Sequence, residues 1–192
     1  MFWARQVLPA GADEVGRGPL AGPVVAACVV LPPEPLIARV NDSKKLSPAR
    51  REALHALIKE QALAFGLGWV SEVEIDQINI LNATKKAFRL AYEAMNAPCT
   101  DVLIDALAGL EIPAAQHSII HGDALCYLIA AASILAKVER DAYMLRMDEV
   151  YPQYGFARNK GYGTAEHIAA LRAFGPCPLH RRSFIKGILE DI

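Results

Sequence analysis

Apolar positions in the first third of the chain follow the short beat of a sheet, and the remainder alternates between that beat and the longer period of a helix. Three β-like runs come first: Gly11–Val15, Val24–Leu31 and Ala64–Val70. The second is rich in valine and bounded by Pro23 and by Pro32-Pro33, as a buried strand should be. Between the second and third, Ser47 as N-cap and Pro48 at the first helical position open a helix. Its apolar positions Leu54, Leu57, Ile58 and Leu63 recur at helical spacing. A longer helical pattern covers roughly Glu74–Met95. Val102-Leu103-Ile104-Asp105 then reads as a short buried strand ending in an acid. Another short strand, His117–Ile120, leads into His121-Gly122-Asp123. From Asp123 to about Glu149 the pattern predicts one long helix, and its alanine-rich start implies close packing on a sheet. A final helix is predicted from Thr164, its N-cap, to Phe174, closed by Gly175 and Pro176. These elements give an α/β fold, a mixed sheet with early antiparallel strands covered by helices.

Composition narrows this only slightly. At 192 residues, 53% hydrophobic and 21% charged, the chain is globular and most economically one domain, with residues 150–192 as a C-terminal helical appendage. Its apolar runs, Val24–Leu31 and Leu128–Ala136, are short of a membrane span. The start Met1-Phe2-Trp3-Ala4-Arg5 lacks the basic and apolar regions of a secretory signal. Cysteines 28, 99, 126 and 177 show neither zinc spacing nor a disulfide framework, so a reduced cytoplasmic setting is expected. A monomer is the default expectation. His55, His117, His121, His167 and His180 show no ligand spacing either, and most are expected at the surface or as caps.

Charge changes the picture more. The net value of −1 argues weakly against a nucleic-acid binder. Its distribution points the other way: from Phe156 to Gly187 there are six basic residues and one acid. Lys44, Lys45, Arg50 and Arg51 form a second basic cluster. Solvated surface is the ordinary explanation for either cluster alone.

Four acids stand where acids are costly. Asp13 and Glu14 belong to an apolar strand, Asp105 ends one, and Asp123 opens an apolar helix. Each has a plain structural explanation; Asp123, for example, suits a helix N-cap. Together they suggest a cleft at the ends of adjacent sheet elements, where converging carboxylates repel unless a proton or metal intervenes. Oxygen ligands without histidine or cysteine favour Mg²⁺ or Mn²⁺. Two such ions could activate water and stabilise the departing oxygen of a phosphodiester. Neighbouring strand residues point to opposite faces, so Asp13 and Glu14 share a site only if the strand bends at the following glycines. Gly16-Arg17-Gly18 adds close backbone approach and a phosphate partner.

The chain resembles bacterial ribonuclease HII from Ala10 to Phe184. The resemblance rests on Asp13-Glu14-Val15-Gly16-Arg17-Gly18 with Leu20–Ala27, Asn41-Asp42-Ser43-Lys44-Lys45-Leu46-Ser47, Ile104-Asp105 and Gly122-Asp123. It continues through Ala130–Lys137 with Arg140-Asp141, Lys160-Gly161-Tyr162-Gly163-Thr164, and His180-Arg181 with Ser183-Phe184. It implies a ribonuclease H-like mixed five-stranded sheet flanked by helices, with a small helical C-terminal part completing the substrate cleft. It also implies hydrolysis of the RNA strand of RNA–DNA hybrids and nicking of duplex DNA 5′ of embedded ribonucleotides, leaving 5′-phosphate and 3′-hydroxyl ends. By the same resemblance Asp13, Glu14, Asp105 and Asp123 are the catalytic, metal-holding acids, with two ions expected once substrate is bound. Asp13, deepest in the first strand, is expected to bridge them. Gly16, Arg17 and Gly18 match the ribose-sensing loop, and Tyr162 the tyrosine that packs on the following sugar. Ser43 and Lys44 match a phosphate-binding position, and Arg181 and Lys186 are expected at the nucleic-acid backbone. Val15 and Ala106 depart from the family's usual alanine and glycine.

A dinucleotide fingerprint fails, because the third glycine in Gly16-x-Gly18-x-x-x-Gly22 is one residue late and a strand follows rather than a helix. A DNA-cutting nuclease on the same fold would share the acids but not the ribose-sensing loop. A hybrid-binding module without catalysis would gain nothing from acids facing phosphates.

Overall fold

The structure is a computed structural model and describes residues 8–190. Five strands form one sheet in the order β3-β2-β1-β4-β5: β1 (Ala10–Val15), β2 (Val24–Val30), β3 (Ala64–Val70), β4 (Asp101–Asp105) and β5 (Ala115–Ile119). β1, β2 and β3 pair antiparallel, while β1–β4 and β4–β5 are parallel, giving the expected mixed sheet.

Two layers of helix cover it. α1 (Pro48–Gln61) is capped by the Ser47 side chain, with Pro48 in its first turn. α2 (Glu72–Met95) lies on β3 and β2, burying Ala83, Ala87, Phe88 and Ala91 against Ala12, Ala26 and Ile104. The opposite face carries α1 and α4 (Tyr127–Val150), whose Ala131, Ala132 and Leu135 meet Ala27, Val29 and Ile58. The alanines let α4 come so close to β1 that a Cβ on Gly11 would run into the Leu128 backbone. That contact sets the depth of the site, because Asp13 follows two residues later on the same face of β1.

The long helix expected from Asp123 is broken. A single turn, α3 (Gly122–Leu125), is separated from α4 by Cys126, which is extended at φ −124° and ψ 120°. His121, left-handed at φ 58°, precedes α3, so Asp123 lies inside the turn instead of capping it. Beyond α4 come a 3₁₀ turn (Pro152–Tyr154), α5 (Phe156–Asn159), α6 (Ala165–Phe174, capped by Thr164) and α7 (Arg182–Glu190), which the apolar pattern did not predict. They close a small core of Ala21, Met144, Tyr154, Phe156, Cys177 and Leu179. Among the described residues no helix is long and apolar enough to cross a membrane.

Candidate active site

Three acids, Asp13, Glu14 and Asp105, lie within electrostatic reach of one another toward the ends of β1 and β4. The register places Ala12 beside Ile104, so Asp13 and Asp105 are the next residues of two adjacent strands. Asp13 is only 4% exposed; its Oδ1 accepts the Glu14 N–H at 2.8 Å. Burial, then the Glu14 and Asp105 charges, hold its carboxyl well above the usual range against a hydrogen bond from Ser133. Glu14 is likewise raised, by burial and Asp105, although Arg17 stands 3.5 Å away and opposes the shift. Asp105 accepts the Gly122 N–H at 2.7 Å, which ties α3 to the end of β4. Its neighbour Ala106 takes φ 45°, a left-handed conformation that a glycine would adopt with less strain. Asp123 is buried, and its Oδ2 lies 3.1 Å from Lys44 Nζ.

Lys44 belongs to a 3₁₀ turn (Ser43–Lys45) capped by the Asp42 carboxylate, which accepts the Lys44 N–H at 2.9 Å. The Lys44 side chain is 77% exposed. Desolvation opposes its charge, but the Asp123 hydrogen bond and the Asp42 and Asp13 charges outweigh that and raise its pKa. Ser43 faces inward instead. It is buried, sharing a 2.8 Å hydrogen bond with the Ser133 hydroxyl, so its side chain supports the turn from below.

The Gly16–Gly22 loop is held from behind. Gly16 has φ 95°, and a Cβ there would collide with the Arg140 side chain and lie 2.7 Å from the Pro23 carbonyl. Arg181, expected at the nucleic-acid backbone, is 0% exposed. Its Nε donates to Gly22 O at 3.0 Å, one terminal nitrogen to Arg17 O at 2.9 Å, and the other to Gly16 O at 2.6 Å and Gly22 O at 2.7 Å. The surface assignment is therefore corrected: the guanidinium is spent on loop carbonyls and cannot reach a phosphate. Burial and the Arg140 charge press against its ionisation, and Glu72 opposes them. Arg17 itself remains exposed, as does Lys186.

Tyr162 joins this loop from the other side. It is 41% exposed, and a Cβ on Gly18 would lie 3.9 Å from its ring. Arg140, for which the sequence suggested no role, stitches the two loops together. It is fully buried and donates to Pro23 O at 2.9 Å, Ala21 O at 3.2 Å and Lys160 O at 2.9 Å. The available signal was a serine and an arginine seven residues apart, Ser133 and Arg140, on one stripe of an apolar helix. Of the five histidines, His117 and His121 are exposed and His55 half-buried, whereas His167 and His180 are buried and bonded to each other at 3.0 Å.

Asp13, Glu14 and Asp105 thus lie within electrostatic reach of one another, and Asp123 reaches the same cleft through Lys44. The donor chemistry suits a hard divalent cation, since repulsion among buried carboxylates is what a cation relieves. Among the described residues, no three histidine, cysteine or acidic side chains are drawn tightly enough to form a ready coordination group.

The family model for ribonuclease HII matches residues 10–187. A ribonuclease HII from Caldanaerobacter subterraneus subsp. tengcongensis is 54% identical over 181 residues, covering 94% of this chain and 75% of the relative. Among solved structures, the ribonuclease H2 of Pyrococcus horikoshii OT3 superposes with a TM-score of 0.79 at 25% identity, covering 95% of this chain and 97% of that one. The Bst-RNase HIII structure in complex with Mn²⁺ shares the fold at a TM-score of 0.70 and 18% identity, covering 96% of this chain and 68% of that one.

Proposed function

Since the chain belongs to the ribonuclease HII family, endoribonucleases that degrade the RNA of RNA–DNA hybrids, we propose that it also nicks duplex DNA on the 5′ side of a single embedded ribonucleotide, in a metal-dependent reaction. Asp13, Glu14, Asp105 and Asp123 would hold Mg²⁺ or Mn²⁺, and such ions supply an activated water and charge for the departing oxygen. The Mn²⁺ bound to a structural relative supports that choice.

The chain's own residues do the selecting. Gly16–Gly18 offer backbone groups that a ribose can approach, and the 2′-hydroxyl is what separates RNA from DNA. Arg181 holds the Gly16 and Arg17 carbonyls, so the loop is shaped before substrate arrives. Tyr162, beside Gly18, packs on the next sugar and favours deoxyribose there. The Lys44 ammonium, next to Asp123, meets a phosphate oxygen. The observation that carries the proposal is this placement of a braced glycine loop and a tyrosine at the end of the strand bearing Asp13.

A DNA duplex containing one ribonucleotide tests it, incubated with Mg²⁺ and then with EDTA. We expect a nick 5′ of the ribose with 5′-phosphate and 3′-hydroxyl ends, absent with EDTA and absent from an all-DNA duplex. Cutting of all-DNA would make the protein a DNA nuclease. Hybrid binding without any cutting would make it a binding module.

A further inference from the structure

Tyr162 is held at both ends of its backbone. Its N–H donates to Asn159 O at 2.9 Å. Its carbonyl accepts the Thr164 N–H at 2.8 Å and faces His167 Nδ1 at 2.8 Å. The partners dictate the tautomers along a chain of two imidazoles. A carbonyl only accepts, so His167 Nδ1 carries the proton and His167 Nε2 is bare. At the far end, the Cys177 backbone N–H lies 3.0 Å from His180 Nδ1, and a backbone N–H only donates. His180 Nδ1 is therefore bare, and its protonated Nε2 donates to His167 Nε2 across 3.0 Å. Every link is satisfied only when both rings are neutral. Tyr154 and Phe156 jacket the pair, with ring centroids 4.8 Å from His180 and 5.4 Å from His167 respectively.

We propose that His167, seated by His180, is a positioning residue for Tyr162 and thereby sets how sharply the enzyme favours a ribonucleotide–deoxyribonucleotide junction over continuous RNA. This rests on the junction-reading role given to Tyr162 above. The hydrogen bond from His167 fixes the peptide following Tyr162, leaving only side-chain torsions to place the ring against the sugar. Burial supports the neutral chain, lowering both imidazoles and taking His180 down to about 4.

Two amide substitutions separate the ring's two nitrogens. The Asn side-chain nitrogen occupies the place of Nδ1, so His167→Asn keeps the donor to Tyr162. The Gln side-chain oxygen can take the place of Nε2 and accept from His180 Nε2–H, so His167→Gln keeps only the link to His180. Cleavage of a duplex with one ribonucleotide is compared with cleavage of a continuous RNA–DNA hybrid, as a ratio of kcat/KM values. We expect Tyr162→Ala to lower that ratio about tenfold and His167→Gln roughly fivefold, with His167→Asn within about twofold of the parent. In the Tyr162→Ala background, His167→Gln should lower the ratio no further, as for two residues acting through one contact.

A His167→Gln loss that is equal on both substrates, or that persists without Tyr162, overturns the proposal alone. An unchanged ratio in Tyr162→Ala overturns the junction-reading role, and the proposal with it. Nitrogen NMR of the unaltered protein gives a readout independent of how any variant folds. His167 should be the Nδ1–H tautomer and His180 the Nε2–H tautomer, and the reverse assignment for His167 also overturns the proposal.

Discussion

Asp13 and Arg181 are opposite charges withdrawn almost equally from water, 4% and 0% exposed, on two sides of the same glycine loop. Their surroundings differ in kind. Asp13 faces Glu14 and Asp105, and the Glu14 N–H and Ser133 soften that repulsion without cancelling it. Arg181 faces backbone carbonyls, and each of its three nitrogens has a partner. The carboxylate end is thus left electrostatically incomplete, while the braced end is complete before any ligand binds. Groups that act on a ligand are left wanting what the ligand brings, and groups that shape its seat are satisfied in advance.

Replacing Asp13 by Asn breaks the incomplete end, with the largest effect expected. Cleavage should fall at least about a thousandfold, roughly 4 kcal/mol of transition-state stabilisation. Folding should respond in the opposite sense. A carboxyl whose pKa is raised in the folded state destabilises that state wherever it is ionised, so the amide should melt a few degrees higher at neutral pH. Lost activity with a lowered melting temperature would mean that Asp13 is structural.

The complete end should fail the other way. An ammonium in place of the Arg181 guanidinium cannot fork across the Gly16, Arg17 and Gly22 carbonyls. Arg181→Lys should therefore cost about 3 kcal/mol of stability through buried unpaired groups. For a chain of this size that is roughly a 6–12 °C drop in melting temperature. Ribonucleotide cleavage should fall with it, because Gly16 and Arg17 lose their support. An unchanged melting temperature would show that the loop does not depend on this brace.

Acid probes the same end more gently. His180 is neutral in the folded protein down to about pH 4, whereas an unfolded imidazole takes up its proton near 6.5. Between these values the unfolded chain binds more protons, so stability present above about pH 6.5 is lost as pH falls toward 4. The slope from one such site is at most about 1.4 kcal/mol per pH unit. His167 shifts in the same direction. Asp13 and Glu14 oppose them, their raised values favouring the folded state as acid is added. Stability of Asp13→Asn should accordingly fall more steeply with acid than that of the parent, measured by denaturant unfolding at stepped pH.

Much of the incomplete end was legible from the chain. Short apolar strands ending in acids place those acids together at one end of a sheet, and Asp13 and Asp105 lie there as the next residues of adjacent interior strands. Most of the braced end was not. Counting Arg181 toward a basic surface treats charge as exposed, but a glycine-rich loop can turn enough carbonyls inward to bury a guanidinium. α7 escaped notice because its N-terminus is satisfied from far away: Asp76 on α2 accepts the Arg182 and Ser183 N–H groups at 2.6 and 2.9 Å. The break at Cys126 had no proline or glycine to announce it, and its N–H still bonds to Gly122 O at 2.8 Å. It separates the turn carrying Asp123 from α4, and that turn is anchored to Asp105 through Gly122.

Lys44 stands between the two ends and sharpens the contrast with the smallest expected effect. Its ammonium lies 3.1 Å from Asp123, but the side chain is 77% exposed, and exposed pairs contribute about 0.5 kcal/mol or less. Lys44→Ala should therefore leave the melting temperature within about 2 °C of the parent. If the ammonium meets a phosphate, binding should weaken severalfold at low salt, and the dependence of log Kd on log salt should become shallower by about one. If it serves mainly to hold the Asp123 carboxylate, turnover at saturating substrate should fall while the salt slope stays that of the parent. A shallower slope with intact turnover would count Lys44 among the groups completed by substrate, with Asp13. Lost turnover at the parental slope would place it with Arg181, among those that hold the site in shape.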